Sequence, residues 1–413
     1  MAHIAIVTDP LPGRTYTGGL WCVYQYAAGL QAAGHRVQVL PILPTPRPRW
    51  WRDDVAIITP PGPPPRPSLG GIIRLARREP RVAAKRAAMA LRAAAERRSW
   101  RAAGYAARRA LSLDLAAGVR GRFDIAIATS FGTALPALRL DAGRRFYLAQ
   151  HFEPLFAQDF ADPWLAELEA RATYHLGMRM IANSSWLRSR LMEEAGCADV
   201  ALCPPGIDHS QFFGAARRRR PGEPVTIVSY GGRGASWKGF AEMAEAVRVV
   251  RARAGLAIRW RVFGRCALPP DNGVARYEPL GFLRGEALRR AYSEADLLLS
   301  ASWYESFPLY PIEAMACGVA VVTTQAGTEE YAADGVTAVV VPARDPQGIA
   351  EGVLRLIAQP DYAFGIAERG QAASQAFTWP AAVDRLNRLL AEPQFAAVGA
   401  GLGAQGGGNG LPA

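Results

Sequence analysis

The chain has 413 residues, half of them hydrophobic and a fifth charged, with a formal net charge of +12. That length is too great for one ordinary core and predicts two large α/β domains, in a composition that suits a globular enzyme. Its five cysteines, Cys22, Cys197, Cys203, Cys266 and Cys317, are odd in number and form no CxxC pair, which argues against a disulfide framework or a zinc site and for a reducing compartment.

In chain order, residues 4–8 read as a short apolar strand. The start lacks the basic region and cleavage pattern of a signal peptide, and no apolar run is of membrane-spanning length, so the expectation is a cytoplasmic protein. A Gly/Pro-rich loop over 9–19 leads to a helix with Leu20, Val23, Tyr24, Ala27 and Leu30 on one face, stopped by Gly34. A second strand spans 37–40. Residues 59–67 are too rich in proline for core structure and read as a loop. Between 70 and 122 stand fourteen Arg or Lys against three acids, a surplus of eleven that holds nearly all of the net charge. This Ala- and Arg-rich stretch reads as helix. A solvated helical face explains it, and so does attraction to an anionic membrane or a lipid-pyrophosphate acceptor. Nucleic acid is the third and weakest explanation, because only Trp100 and Tyr105 are available for base stacking. Strands follow at 124–128, 145–149 and 180–182. Strand–helix alternation of this kind predicts a parallel, doubly wound sheet.

The pattern resets near Pro204-Pro-Gly-Ile-Asp208. After a polar turn at 217–223, a new α/β unit begins at 225–229 and runs through strands at 259–264, 295–302 and 319–323. Residues 377–390 form an amphipathic helix, and the tail 396–413, with seven glycines and no periodicity, reads as disordered. The expected boundaries are therefore 1–205 (with the Pro-rich loop and basic helical insert at 59–122), 206–376, a helical piece at 377–395 and the tail 396–413.

Four places carry candidate chemistry. The most informative is Trp303-Tyr-Glu-Ser-Phe-Pro-Leu-Tyr-Pro-Ile-Glu-Ala-Met-Ala-Cys-Gly318. It sets Glu305 in a strand-to-helix loop and Glu313 about two turns on, in a helix ended by Gly318. Carboxylates accept from hydroxyls and a helix start receives phosphate, so the geometry suits a polyhydroxylated, phosphate-bearing ligand. In Ser229-Tyr-Gly-Gly-Arg-Gly-Ala-Ser-Trp-Lys-Gly-Phe240, glycines let the backbone approach while Arg233 and Lys238 offer a fork and a point charge for phosphate. This loop lacks the full GxGxxG spacing and the acid that nicotinamide binding requires. Gly18 and Gly19 stand before the first helix, where paired glycines admit an anion. Lastly, Tyr147-Leu-Ala-Gln-His-Phe-Glu-Pro-Leu-Phe156 follows a strand and presents His151, with Gln150 and Glu153 beside it. The acids of Gly327-Thr-Glu-Glu-Tyr331 either line a pocket or form the first turn of a helix.

The run at 303–318, continued through 319–324 and 327–331, resembles the donor-site signature of retaining glycosyltransferases with the GT-B fold, family 4 (glycosyl transferases group 1). The string at 147–156 more narrowly resembles a bacterial rhamnosyltransferase subgroup, with His151 where that pattern has Asp. The resemblance covers the second domain, is looser over 1–205 and absent from 45–122. It implies two Rossmann-like domains across a cleft, with the acceptor on the first, the nucleotide-sugar on the second, and the helix at 377–395 crossing back. It implies that Arg233 and Lys238 hold the diphosphate, aided by the backbone at Phe307, Pro308 and Leu309 and by Gly18 and Gly19. Glu313 then takes the nucleotide's sugar ring, while Glu305 and His151 take the transferred sugar. No metal or other cofactor is implied. The implied reaction moves a sugar from a nucleoside-diphosphate sugar to a glycan or lipid-linked glycan in cell-surface polysaccharide synthesis, with peripheral membrane contact through 70–122. Two other readings stay open. One is a different GT-B enzyme, an epimerase or phosphorylase; the other is a non-catalytic membrane- or nucleic-acid-binding protein working through the basic segment.

Overall fold

Short runs of β-branched and aliphatic residues alternate with longer amphipathic stretches, and among the described residues they form two all-parallel sheets of seven and six strands. The computed structural model describes residues 1–13, 17–43, 47–52, 55–58, 116, 118–159, 162–220, 222–232, 234–266 and 269–392. The Pro-rich loop, the basic insert as far as residue 115, Arg233 and the tail 396–413 lie outside the described residues.

The first half comprises β1 (His3–Thr8), α1 (Gly18–Ala32), β2 (Arg36–Pro41), β3 (Ala56–Ile57), β4 (Phe123–Ala128), α2 (Phe131–Arg139), β5 (Ala142–Ala149), α3 (Pro163–Thr173), β6 (Arg179–Ala182), α4 (Ser185–Glu193) and β7 (Val200–Leu202). Its strand order is β3-β2-β1-β4-β5-β6-β7. Alternation along β1 sends Ile4 and Ile6 into one buried cluster with α1, and Ala5 and Val7 into another with α2, so both faces are covered.

The second half comprises β8 (Val225–Tyr230), α5 (Phe240–Arg253), β9 (Ile258–Phe263), β10 (Glu278–Gly281), α6 (Gly285–Ser293), β11 (Leu297–Leu299), α7 (Leu309–Ala316), β12 (Ala320–Thr324), β13 (Val339–Val341), α8 (Pro346–Ala358), α9 (Pro360–Ser374) and α10 (Trp379–Ala391). Here the order is β10-β9-β8-β11-β12-β13. Val225 and Ile227 face α5 and α8, while Val228 faces α6 and α7. The Thr378 side chain caps α10 by accepting from Ala381 N at 3.2 Å. The helix then lays Trp379, Leu386 and Leu390 into the core of the first sheet. Ile207 N donates to Phe377 O at 2.9 Å, so the two passages between the halves run side by side.

In each sheet the strand order reverses once, between β1 and β4 in the first and between β8 and β11 in the second. Loops leaving the carboxyl ends of those strands diverge and open a crevice, where doubly wound sheets take ligands. Among the described residues, no helix is long and apolar enough to cross a membrane.

Candidate active site

The second sheet's reversal point holds two of the expected residues. Lys238 ends a 3-10 turn, Ser236–Lys238, that leaves β8, and Glu305 lies in the loop that leaves β11. Because β8 and β11 are paired neighbours, the two side chains meet and form an ion pair, Lys238 Nζ to Glu305 Oε1. Glu305 is buried and also accepts from Ser302 Oγ at 3.1 Å. The Lys238 ammonium sits 4.2 Å from the centroid of the Trp237 indole, a cation–π contact. Gly239 makes the close packing possible. Its φ is +68°, and a Cβ there would come within 1.9 Å of the Ala301 carbonyl oxygen. The Trp303 amide donates to Trp237 O at 2.7 Å, tying the two loops together.

Two helix starts face this place from opposite halves. Gly18 and Gly19, expected before the first helix, are its first two residues, with Thr17 as N-cap accepting from Leu20 N at 3.2 Å. A Cβ on Gly18 would lie 3.5 Å from the Leu309 side chain, and one on Gly19 3.1 Å from the Gln150 amide oxygen. Leu309 opens α7 with Pro308 as N-cap. Of the three residues expected to offer backbone N–H groups, Pro308 has none to give, which corrects that expectation: only Phe307 and Leu309 can donate. The Pro308 carbonyl accepts from Tyr331 OH at 2.8 Å, which fixes the helix start. N-termini of this kind favour anions through their unpaired N–H groups and the helix dipole.

Glu313 lies on α7, where Tyr292 OH donates to its Oε2 at 3.4 Å. Burial pushes its carboxyl up to about 8, and the tyrosine only partly opposes this.

His151 follows β5 on the far side of the cleft, and it is close enough to feel the charges of both Glu305 and Lys238. Its side chain is exposed, with the Phe156 ring packed against it. That protein environment pushes the imidazole down to about 4; Glu305 pulls it up and Lys238 down. Water in the open cleft tempers the push, but the direction is downward, so the neutral ring predominates at pH 7.

The structure thus brings together Lys238, Glu305, His151, Gly18, Gly19, Leu309 and Glu313. Arg233 lies outside the described residues. Other cleft residues carry no pattern in the sequence. Ser306 Oγ donates to Gln150 O, and Asn183 Nδ2 donates to Ser306 Oγ at 3.2 Å, both across the cleft. Glu153 is a buried anchor: its carboxylate accepts from Phe131 N at 2.7 Å and Tyr147 OH at 2.6 Å. The acidic loop at 327–331 forms a turn after β12. Glu330 crosses to the other half and accepts from Ser185 N and Ser185 Oγ at the start of α4.

Comparison with known proteins finds a match in each half of the chain. The family described as Glycosyltransferase Family 4 matches residues 16–211, and the one described as Glycosyl transferases group 1 matches residues 225–359. The chain is 32% identical over 232 residues to the D-inositol 3-phosphate glycosyltransferase of Segniliparus rotundus, which covers 50% of this chain and 51% of that one. It is 31% identical over 211 residues to the O-antigen biosynthesis protein RfbC of Myxococcus xanthus, covering 50% of this chain and 16% of that one. The matches therefore span about half the length of the first relative, and less of the second. Among solved structures, the sucrose-phosphate synthase of Thermosynechococcus elongatus superposes with a TM-score of 0.66 at 19% identity, over 94% of this chain and 97% of the other. Anabaena HepE in complex with UDP-glucose superposes with a TM-score of 0.65 at 17% identity, over 94% and 99%. Family matches on both halves and the shared architecture lead to one conclusion: this chain belongs to the family 4, or group 1, glycosyltransferases and has their GT-B fold.

Proposed function

We propose that the protein transfers a sugar from a nucleoside-diphosphate sugar to a glycan or lipid-linked glycan, with retention of configuration, in the synthesis of a cell-surface polysaccharide. The observation that carries this is the convergence of Lys238, Glu305 and His151 with the starts of α1 and α7 at one crevice. In this reading the second half holds the donor and the first the acceptor. A uridine donor is favoured by the likeness to HepE, whose structure holds UDP-glucose. The surface-polysaccharide role is favoured by the likeness to RfbC, and the rhamnosyl class rests on the 147–156 string.

The acceptor hydroxyl oxygen bonds to the anomeric carbon as the bond from that carbon to the distal phosphate oxygen breaks, on the same face of the sugar. The hydroxyl proton leaves with the departing diphosphate. Negative charge grows on that phosphate, so Lys238, Arg233 and the N–H groups at the starts of α1 and α7 stabilise the transition state more than the bound donor. Glu305 accepts from hydroxyls of the transferred sugar, Glu313 from the nucleotide's ribose, and neutral His151 hydrogen-bonds the sugar without adding charge. Closing the cleft excludes water that would otherwise hydrolyse the donor. The basic stretch at 70–122 supplies contact with an anionic membrane, where a lipid-linked acceptor lies.

The test is thermal unfolding with uridine, guanosine, adenosine and thymidine diphosphates and their sugars. A ligand at a hundredfold excess over its Kd adds about 2.7 kcal/mol. The expected result is a clear rise with one nucleotide class, lost in Lys238→Ala. Equal responses from wild type and variant to every nucleotide would refute the donor-site reading.

A further inference from the structure

Lys238 and Glu305 each follow an aromatic residue, Trp237 and Tyr304, and those two rings lie nearly parallel, 5.6 Å apart and 12° from coplanar. Both belong to the second half. One ring from the first half meets both edge-on: Phe156 is 5.1 Å from Trp237 at 82° and 5.5 Å from Tyr304 at 83°. Phe156 also packs against His151, with ring centroids 5.0 Å apart. Tyr304 OH reaches Leu155 O at 3.4 Å, beside the same ring. The segment that carries Phe156 is held firmly. It is the 3-10 turn Glu153–Asp159, whose first residue gives its carboxylate to Phe131 N and Tyr147 OH and its own amide to Tyr174 OH at 3.0 Å. Edge-to-face pairs of this kind stabilise a contact beyond their area burial.

We propose that Phe156 is a positioning residue: as the halves close, its ring grips Trp237 and Tyr304 and so sets Lys238 and Glu305 in place against His151. This rests on the glycosyltransferase reading above for its consequence in turnover, and on the ring contacts alone for its consequence in closure. In this reading Phe156 acts through Trp237 and Tyr304 and not on the donor itself. It makes placement of both charged groups conditional on the first half being in contact, so a donor held by the second half alone meets an unaligned site.

The experiment compares Phe156→Ala and Phe156→Leu with wild type in four readouts: unfolding midpoint, Kd for UDP, the split between transfer and donor hydrolysis, and the radius of gyration by small-angle scattering. For Phe156→Ala the midpoint should fall by only a few degrees and the UDP Kd should change by less than about threefold, while kcat for transfer falls by about tenfold or more. The hydrolysed share of donor should rise and the radius of gyration increase. Phe156→Leu, which restores apolar volume without the ring edge, should recover part of kcat. Unchanged kcat and hydrolysis in Phe156→Ala would overturn the proposal, and so would a fall in kcat matched by equal losses of UDP affinity and midpoint, which marks a merely structural role. If wild type transfers from no nucleotide-sugar, the glycosyltransferase reading fails by itself. Scattering then still decides the grip: an unchanged radius in Phe156→Ala overturns it, and an increased one supports it.

Discussion

Glu153 sits among Phe131, Tyr147 and Tyr174, and burial lifts its carboxyl from its usual range to about 7, against the pull of the three hydrogen bonds around it. The folded value is raised above the unfolded one, so the protonated acid is the form that the fold prefers. Its stabilising contribution is fully present below about 4.5 and is lost as pH rises through about 7, a swing of about 3 kcal/mol. Glu153→Gln keeps an acceptor for Phe131 N and a polar partner for Tyr147 without the titration. Its unfolding midpoint should fall less than that of wild type between pH 5 and 8, and parallel curves would show that Glu153 titrates normally. Glu313, at about 8, gives a prediction on binding. If its ionised form accepts ribose hydroxyls, nucleotide affinity should rise with pH up to about 8 and then level, and Glu313→Gln should bind weakly at every pH. A titration by calorimetry at pH 6, 7, 8 and 9 measures this. The glutamate at 313 was legible in the sequence because its spacing from 305 across a strand-to-helix loop has a geometric meaning. Glu153 was not: one carboxylate within an aromatic string leaves no period, and its role comes from Phe131 and Tyr174, distant in the chain. The lack of an N–H at Pro308 is legible from residue chemistry alone.

At the scale of elements, β1, β4 and β5 are legible from four consecutive apolar residues each, and β2, β6, β8 and β9 from shorter apolar runs between turn signals. The edge strands escape such patterning. β3 has two residues, β13 three and β10 the sequence Glu-Pro-Leu-Gly, too short or too polar for a period of two to register. The run at 295–302 reads as one strand, but pairing with β8 and β12 covers only Leu297–Leu299. Residues beyond it bend into the site, where Ser302 Oγ reaches Glu305 and Ser302 O accepts from Thr324 Oγ1 at 2.6 Å. The contact of α1 with α10 was equally hidden, since it joins residues more than 350 apart. It depends on Gly29, where a Cβ would come within 2.3 Å of Val383 Cγ2. Gly29→Ala should therefore overpack this helix pair and lower stability by about 2 kcal/mol, despite Ala's better helix propensity. Val383→Ala makes room, so the double variant should lose less than the sum of the two single losses. Urea unfolding of the four proteins measures the coupling, and strict additivity would mean that the helices adjust without strain.

For the whole molecule, the question is what holds two separately cored halves in one arrangement around the crevice. Part of the answer is permanent: α10 carries the chain from the second half into the core of the first, with Leu386 and Leu390 buried there. The rest is local to the cleft, namely Ser306 and Asn183 near Gln150, the ring of Phe156, and the carboxylate of Glu330 on the first turn of α4. Glu330 is the strongest of the polar contacts in kind. It is a charge-assisted acceptor for both the amide and the hydroxyl of Ser185, at the positive end of a helix dipole. A net contribution of about 1.5 kcal/mol to closure corresponds to about tenfold in the ratio of closed to open molecules. Under the glycosyltransferase reading, open molecules that keep the donor expose it to water. Glu330→Ala should therefore raise the hydrolysed share of donor up to about tenfold, and Glu330→Gln, which keeps the shape but not the charge, by less. Adding Ser185→Ala to Glu330→Ala should change little further, because the two act through one contact. Product analysis with and without acceptor reads the share directly. A Glu330→Ala protein that hydrolyses no more donor than wild type would mean that the aromatic grip and the Ser306 contacts hold the cleft without it.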